Sequence, residues 1–211
     1  MKINLGCGLQ RPEGWFNADS SLASFASSNW LLKRFFRAKY EVPAHYLDVR
    51  KKWKFANKSC SVVYASHFLE HIDRKDVQHF LSETRRVLIP GGILRLVVPD
   101  LKALAEIYLA NLESKKEAAT HEFLYFLDLN LDQAYGPEVP WYKRLIAAFQ
   151  GFPHQHKYMY DAYSLSALLA EAGFVNIKQA NYGQSNYFND VAALECTSEG
   201  AVSIYIESLS P

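Results

Sequence analysis

Two hydrophobic periods alternate along this chain. "INLG" near the start, "WFNAD" after the turn-forming "RPEG", then "AHYLDV", "SVVYAS" and "ILRLVVPD" are short apolar runs and predict strands one to five. The fifth is apolar and β-branched almost throughout, as a parallel strand covered on both faces is. Helical period separates them. "SSNWLLKRFFRAKY" predicts a basic amphipathic helix over 27–40, with Ser27 or Ser28 as its cap. "DRKDVQHFLSETRRVL" places Val77, Phe80, Leu81, Thr84 and Leu88 on one face, with Asp73 as a cap and "PGG" as the stop. Residues 101–160 carry helical pieces. Asp100 can cap "LKALAEIYLANL", Ser114 with Glu117 makes a capping-box pattern, and "PWYKRLIAAF" is a third piece. "DAYSLSALLAEAGF" is a helix capped by Asp161 and closed by Gly173, and "VNIKQAN" and "AVSIYIES" are the last two strands. Alternation of strand and helix predicts an α/β doubly wound sheet.

Composition narrows the class. The 211 residues predict one domain, 1–211, with 101–160 as a helical cap insertion. No apolar run approaches the ~20 residues of a membrane span, and strand-like sequence from Lys2 argues against a signal peptide. Cys7, Cys60 and Cys196 are odd in number and widely spaced, which predicts a reducing, cytoplasmic setting without disulfides. Nine cations (Lys33, Arg34, Arg37, Lys39, Arg50, Lys51, Lys52, Lys54 and Lys58) face only Glu41 and Asp48 over residues 33–58. That stretch is either a solvated face or a patch for an anionic acceptor or a membrane surface.

Candidate chemistry begins at "INLGCGLQRPEGWFNAD". Gly6 and Gly8 follow a strand, where doubly wound folds bind ligands, and Asp19 ends the next strand. A dinucleotide fingerprint would need a third glycine at position 11, which is Arg11, and an acid about 20 residues on. "LQRPEG" also leaves no room for a full helix aimed at a pyrophosphate. A nicotinamide or flavin dinucleotide is therefore poorly supported.

"INLGCG", Asp19, Asp48 in "LDV", "SHFLEHI", "VLIPGGILRLVVPD" and "LLAEAGF" occur in that order at successive strand ends. In this the chain resembles the class I S-adenosylmethionine-dependent methyltransferases, and more narrowly the small stand-alone members associated with polysaccharide and small-molecule biosynthesis. The resemblance implies a mostly parallel, seven-stranded Rossmann-like sheet with a helical insertion after strand five. It also implies roles for residues. The turn Gly6, Cys7, Gly8 lies under the methionine part of S-adenosyl-L-methionine. Asp19 takes the ribose hydroxyls, Asp48 and the Val49 amide meet the adenine, and the Ser66 carbonyl faces the methionine amine. Three positions depart from the family pattern: Asn4 replaces an acid near the methionine amine, Gln10 the usual third glycine, and Ser61 an acid at the start of strand four.

Two histidine clusters remain. "HFLEH" (His67, Glu70, His71) reads as H-x-x-E-H, which admits zinc chemistry, a purely structural capping role, or a base beside the transferred methyl. His67, nearest the strand end, is the first candidate base and His71 the second. "HQHKYMY" (His154, His156, Tyr158, Tyr160) admits a metal pair, ordinary loop aromatics, or an acceptor-facing edge made by His156 and Tyr158. No resident metal is expected. The favoured function is methyl transfer to a small-molecule acceptor, on the oxygen of a sugar or other biosynthetic intermediate. The alternative is a non-catalytic partner subunit that keeps the fold and cofactor pocket. Nucleic acid is not an expected partner, because the chain has "SHFL" where nucleic-acid methyltransferases of this type carry an N-P-P-Y-like tetrad.

Overall fold

The computed structural model describes residues 1–21, 24, 44–129, 136–149, 155–195 and 202–211. Seven strands form one sheet: β1 (Lys2–Leu5), β2 (Trp15–Asp19), β3 (His45–Tyr46), β4 (Cys60–Ser66), β5 (Leu88–Pro99), β6 (Val175–Ala180) and β7 (Ser203–Leu209). Their spatial order is β3-β2-β1-β4-β5-β7-β6, with β7 antiparallel to both neighbours and the β1–β5 pairings parallel. This is the doubly wound, mostly parallel α/β sheet expected. The chain reverses its direction of travel across the sheet between β1 and β4, so their carboxyl ends open the crevice where such sheets bind ligands.

The helices are α1 (Arg74–Val87), α2 (Leu101–Glu113), α3 (Ala119–Phe126), α4 (Trp141–Phe149) and α5 (Ala162–Glu171). Helix α1 buries Val77, Phe80, Leu81 and Thr84 in the main core beside Ile3, Leu5, Val63, Leu94 and Leu96. Asp100 caps α2 by accepting the Lys102 and Ala103 amides, and Asp161 with Ser164 makes a capping box on α5. Gly173, at φ +84°, follows α5 in the left-handed region that favours glycine. In α2 and α3, Tyr108 stacks on Phe123 with ring centroids 4.6 Å apart.

Several boundaries differ from expectation. Helix α1 ends at Val87. Leu88 turns extended and pairs with Cys60, and "PGG" forms a bulge inside β5 rather than a stop, since the register jumps from Cys60–Leu88 to Val62–Ile93. Asp73 makes no side-chain cap and instead accepts Lys157 Nζ at 3.1 Å. Ser114 closes α2, and its hydroxyl donates to the Asn111 carbonyl, so no capping box starts there. Strand β3 is only His45–Tyr46. The predicted helix over 27–40, His154 and Cys196 lie outside the described residues.

Strand β7 is tied to β5 by a buried ion network: Arg95 donates to Glu207 at 2.9 Å and to Glu195 at 2.7 Å. No described helix is long and apolar enough to cross a membrane.

Candidate functional site

Strand β1 delivers the chain into a tight loop. Gly6 and Gly8 have φ of +63° and +46°, and the Gln10 amide closes the turn on the Cys7 carbonyl at 2.7 Å. A Cβ on Gly6 would lie 2.6 Å from Phe68 Cδ2, so glycine is required there for space as well as for φ. Asp19 ties the loop to the end of β2, its carboxylate accepting the Gly8 amide at 3.2 Å and the Ser21 amide at 2.6 Å. Each oxygen keeps a further lone pair, so the group can still accept ribose hydroxyls. Burial pushes the Cys7 thiol up to about 11, with the Asp19 charge adding to it, so Cys7 stays protonated.

Asn4 explains one departure from the family pattern. It is buried, and its amide donates to the Gln10 carbonyl at 2.8 Å and to Asn17 Oδ1 at 3.0 Å. A carboxylate at position 4 could not donate to these acceptors. Asn4 thus ties the glycine loop to β2 through the backbone carbonyl of residue 10 and the side chain of Asn17.

At the end of β3, Asp48 is clamped by Arg50, with contacts of 2.8 and 3.1 Å, and lies 3.6 Å from Lys51. The Arg50 hydrogen bonds hold its carboxyl below the usual range against the opposing effect of burial. Val49 is buried, and its carbonyl accepts Trp53 Nε1–H at 3.3 Å.

Across the crevice, Ser66 ends β4 and His67 follows with φ +47°, a left-handed conformation that ordinary side chains rarely hold. Its amide donates to the Val97 carbonyl at 2.8 Å. Its ring sits between Glu70 Oε1, 3.4 Å from Nδ1, and Ser203 Oγ, 3.3 Å from Nε2. The side chain remains 46% exposed, whereas Glu70 is fully buried. Ser203 enters from the start of β7 and carried no signal in the sequence.

The two histidine clusters converge. The Glu70 carbonyl accepts the amides of Lys157 at 2.7 Å and Tyr158 at 3.3 Å, and His71 Nδ1 lies 3.1 Å from the Gln155 carbonyl. The rings of His71 and His156 are 4.9 Å apart. Desolvation pulls the His156 pKa down against the raising effect of Glu70, and His71 adds to the lowering. Tyr158 is exposed, with the Arg74 guanidinium 4.7 Å from its ring centroid.

A family model described as a methyltransferase domain matches residues 16–179. The chain belongs to the methyltransferase-domain family. That match runs from β2 into β6, so the glycine loop and β7 lie outside it and rest on the structure alone. No curated protein matches the chain. Solved structures share the fold. The CurJ carbon methyltransferase is 15% identical with a TM-score of 0.51, covering 99% of this chain and 47% of that one. The carbon methyltransferase domain of the citrinin polyketide synthase is 13% identical with a TM-score of 0.51, covering 99% and 45%. This chain thus spans about half the length of those two. A protein from Thermotoga maritima, titled a possible histamine N-methyltransferase, is 15% identical with a TM-score of 0.51, covering 100% and 81%. These likenesses establish the class I methyltransferase fold, and the family implies S-adenosylmethionine as the methyl donor.

Within this methyltransferase fold, Gly6, Cys7, Gly8 and Asp19 form one connected unit beside the switch point. Ser66 and His67 lie across it at the end of the adjacent strand. Asp48 and Val49 follow the short β3. His71 and His156 pack on one another, and only Tyr158 of the proposed acceptor pair is exposed.

Proposed function

We propose that this chain transfers a methyl group from S-adenosylmethionine to an oxygen of a small-molecule acceptor, a sugar or a comparable biosynthetic intermediate. When bound, S-adenosylmethionine supplies a methyl already activated on a sulfonium. The residues present fit it: a glycine loop with no room for a side chain at Gly6, and an Asp19 carboxylate with lone pairs to spare for the ribose. Asp48 and Val49 would border the adenine, and the Ser66 carbonyl the methionine amine.

The observation that carries the reading is His67. A non-glycine residue is held at positive φ at the mouth of the crevice, its ring steadied by a buried carboxylate on one nitrogen. The Ser203 hydroxyl stands 3.3 Å from Nε2, the ring nitrogen that faces away from Glu70. In the proposed reaction an acceptor hydroxyl would displace Ser203 Oγ from Nε2 and give Nε2 its proton as its oxygen bonds to the methyl, the methyl–sulfur bond breaking and the sulfur leaving as the neutral thioether of S-adenosylhomocysteine. Glu70 steadies the imidazolium that results. Tyr158 and the edge of His156 border the acceptor, and His71 is the reserve base when its Nε2 carries no ion.

His67→Ala tests this. Turnover should fall by about 10²–10⁴-fold, the usual contribution of a general base, while S-adenosylhomocysteine affinity holds. Full turnover in a variant shown to be folded by circular dichroism would remove His67 from the reaction.

A further inference from the structure

We infer that Glu70, His71 and His156 form a binding site for one divalent transition-metal ion, with zinc the best match to the donor set. One ligand-capable atom from each residue lies within 4.8 Å of the others. Ligand atoms around a tetrahedral zinc, with bonds of about 2.0–2.1 Å, are roughly 3.3 Å apart, so the three side chains need only draw inward.

Two buried groups make no hydrogen bond at this point among the described residues. Glu70 is fully buried, and neither carboxylate oxygen has a hydrogen-bond partner among the described residues. His156 Nδ1 is likewise buried without one. A buried carboxylate without compensation is strongly unfavourable, and such groups are ordinarily paired or bound to metal. The nearby cations among the described residues are directed elsewhere. Lys157 Nζ goes to Asp73 at 3.1 Å, and the Arg74 guanidinium lies over Tyr158. His67 Nδ1, at 3.4 Å, engages one side of the carboxylate and leaves the rest of it open.

The surroundings orient the set. His71 Nδ1 faces the Gln155 carbonyl, which can only accept, so the proton sits on Nδ1 and the lone pair on Nε2. The Glu70 carbonyl holds the amides of Lys157 and Tyr158, which straps the segment bearing His156 onto the turn bearing Glu70 and His71. Two imidazoles and one carboxylate favour zinc and its first-row neighbours over calcium or magnesium, which prefer all-oxygen ligands. Three protein ligands leave a position open, as catalytic zinc sites do. The site adjoins His67, so an acceptor oxygen bound there would lose its proton more readily. That role in turnover rests on the methyl-transfer reading above; the binding of the ion does not.

Protein stripped with a chelator is titrated with Zn²⁺ against a chromophoric competitor, and separately with Co²⁺ while its visible absorption is followed. One equivalent should bind. Glu70→Gln, His71→Ala and His156→Ala should each weaken binding by more than the ten- to hundredfold typical of losing a merely supporting group. His121→Ala, on the exposed part of α3, should bind as the wild type does. No one-equivalent binding to the wild type overturns the site, and so does binding that survives in Glu70→Gln and His156→Ala. If a variant does not fold, the wild-type stoichiometry and the rise of its Tm with Zn²⁺ decide in its place. Zinc bound here without any methyl transfer keeps the site and removes the transfer reading. Transfer that continues after stripping overturns the ion's part in turnover.

Discussion

Gly6→Ala probes the point where the glycine loop meets the loop after β4. Two costs arise. Alanine at φ +63° occupies the left-handed region, at about 1–2 kcal/mol. Its Cβ would lie 2.6 Å from Phe68 Cδ2 and 3.1 Å from Phe68 Cβ, so the ring as a whole must retreat, and overpacking of this kind costs about 1–3 kcal/mol. Together these give about 2–5 kcal/mol, a large fraction of the 5–15 kcal/mol typical of a domain. Urea midpoints with unchanged slopes would measure the loss. The second contribution can be isolated. Combining Gly6→Ala with Phe68→Ala removes the 2.6 Å ring contact but keeps the Cβ at 3.1 Å, so a double-mutant cycle should return a favourable coupling of about 1–3 kcal/mol, leaving the backbone cost and the residual Cβ contact. Affinity for S-adenosylhomocysteine should fall in the single variant as the loop shifts. A loss below about 0.5 kcal/mol with no coupling would refute the close approach of Phe68 and the reasoning built on it.

Asp19→Ala should weaken cofactor binding by about 1.5–3 kcal/mol, the scale of hydrogen bonds to a charged group; titration calorimetry showing equal affinity would take Asp19 out of the site. Acid should destabilise the protein. Asp48 and Glu83 are held below their ordinary range chiefly by Arg50 and Arg86, and Glu207, despite burial that pushes it up, by hydrogen bonds from Ser185 and Asn186. Folded values below unfolded ones give stability that is fully present above the ordinary carboxylate range of about 4 and lost as pH falls through the depressed values; a urea midpoint unchanged down to pH 3 would contradict this. Helices α2, α3 and α4 leave Ile107, Leu109, Leu124, Tyr125, Trp141 and Leu145 exposed, and as a cap over the acceptor they should gain hydrogen-exchange protection when acceptor and S-adenosylhomocysteine bind. Exchange in these helices that ignores both ligands in an active protein would exclude a cap.

The sheet was legible in the sequence because buried parallel strands read as continuous apolar runs, and their ends carried the glycine loop and the acids. Local detail was harder. Thr84 and Leu88 stand one helical turn apart, so Leu88 counts as part of the helical face, yet pairing with Cys60 wins and the chain extends there. Asn4 reads as a missing acid, but its role depends on the Gln10 carbonyl and on Asn17 across the neighbouring strand. Ser203 and His67 are far apart in sequence, and only the antiparallel insertion of β7 beside β5 brings them together. The two histidine clusters behaved likewise. Each had too few ligands alone, and hydrogen bonds between segments more than eighty residues apart, such as His71 to Gln155, make them one.

The most direct test of the central claim is transfer of a deuterated methyl group. The protein is incubated with S-adenosylmethionine labelled on its methyl and with pooled sugars and biosynthetic intermediates, and products are read by mass spectrometry. One new species carrying a single labelled methyl on oxygen should form, together with stoichiometric S-adenosylhomocysteine. It should be reduced by about 10²–10⁴-fold in His67→Ala and restored in part when cofactor is raised for Asp19→Ala. A labelled methyl on carbon or nitrogen would contradict the acceptor assignment, and no binding of S-adenosylmethionine or S-adenosylhomocysteine at any concentration would contradict the account as a whole.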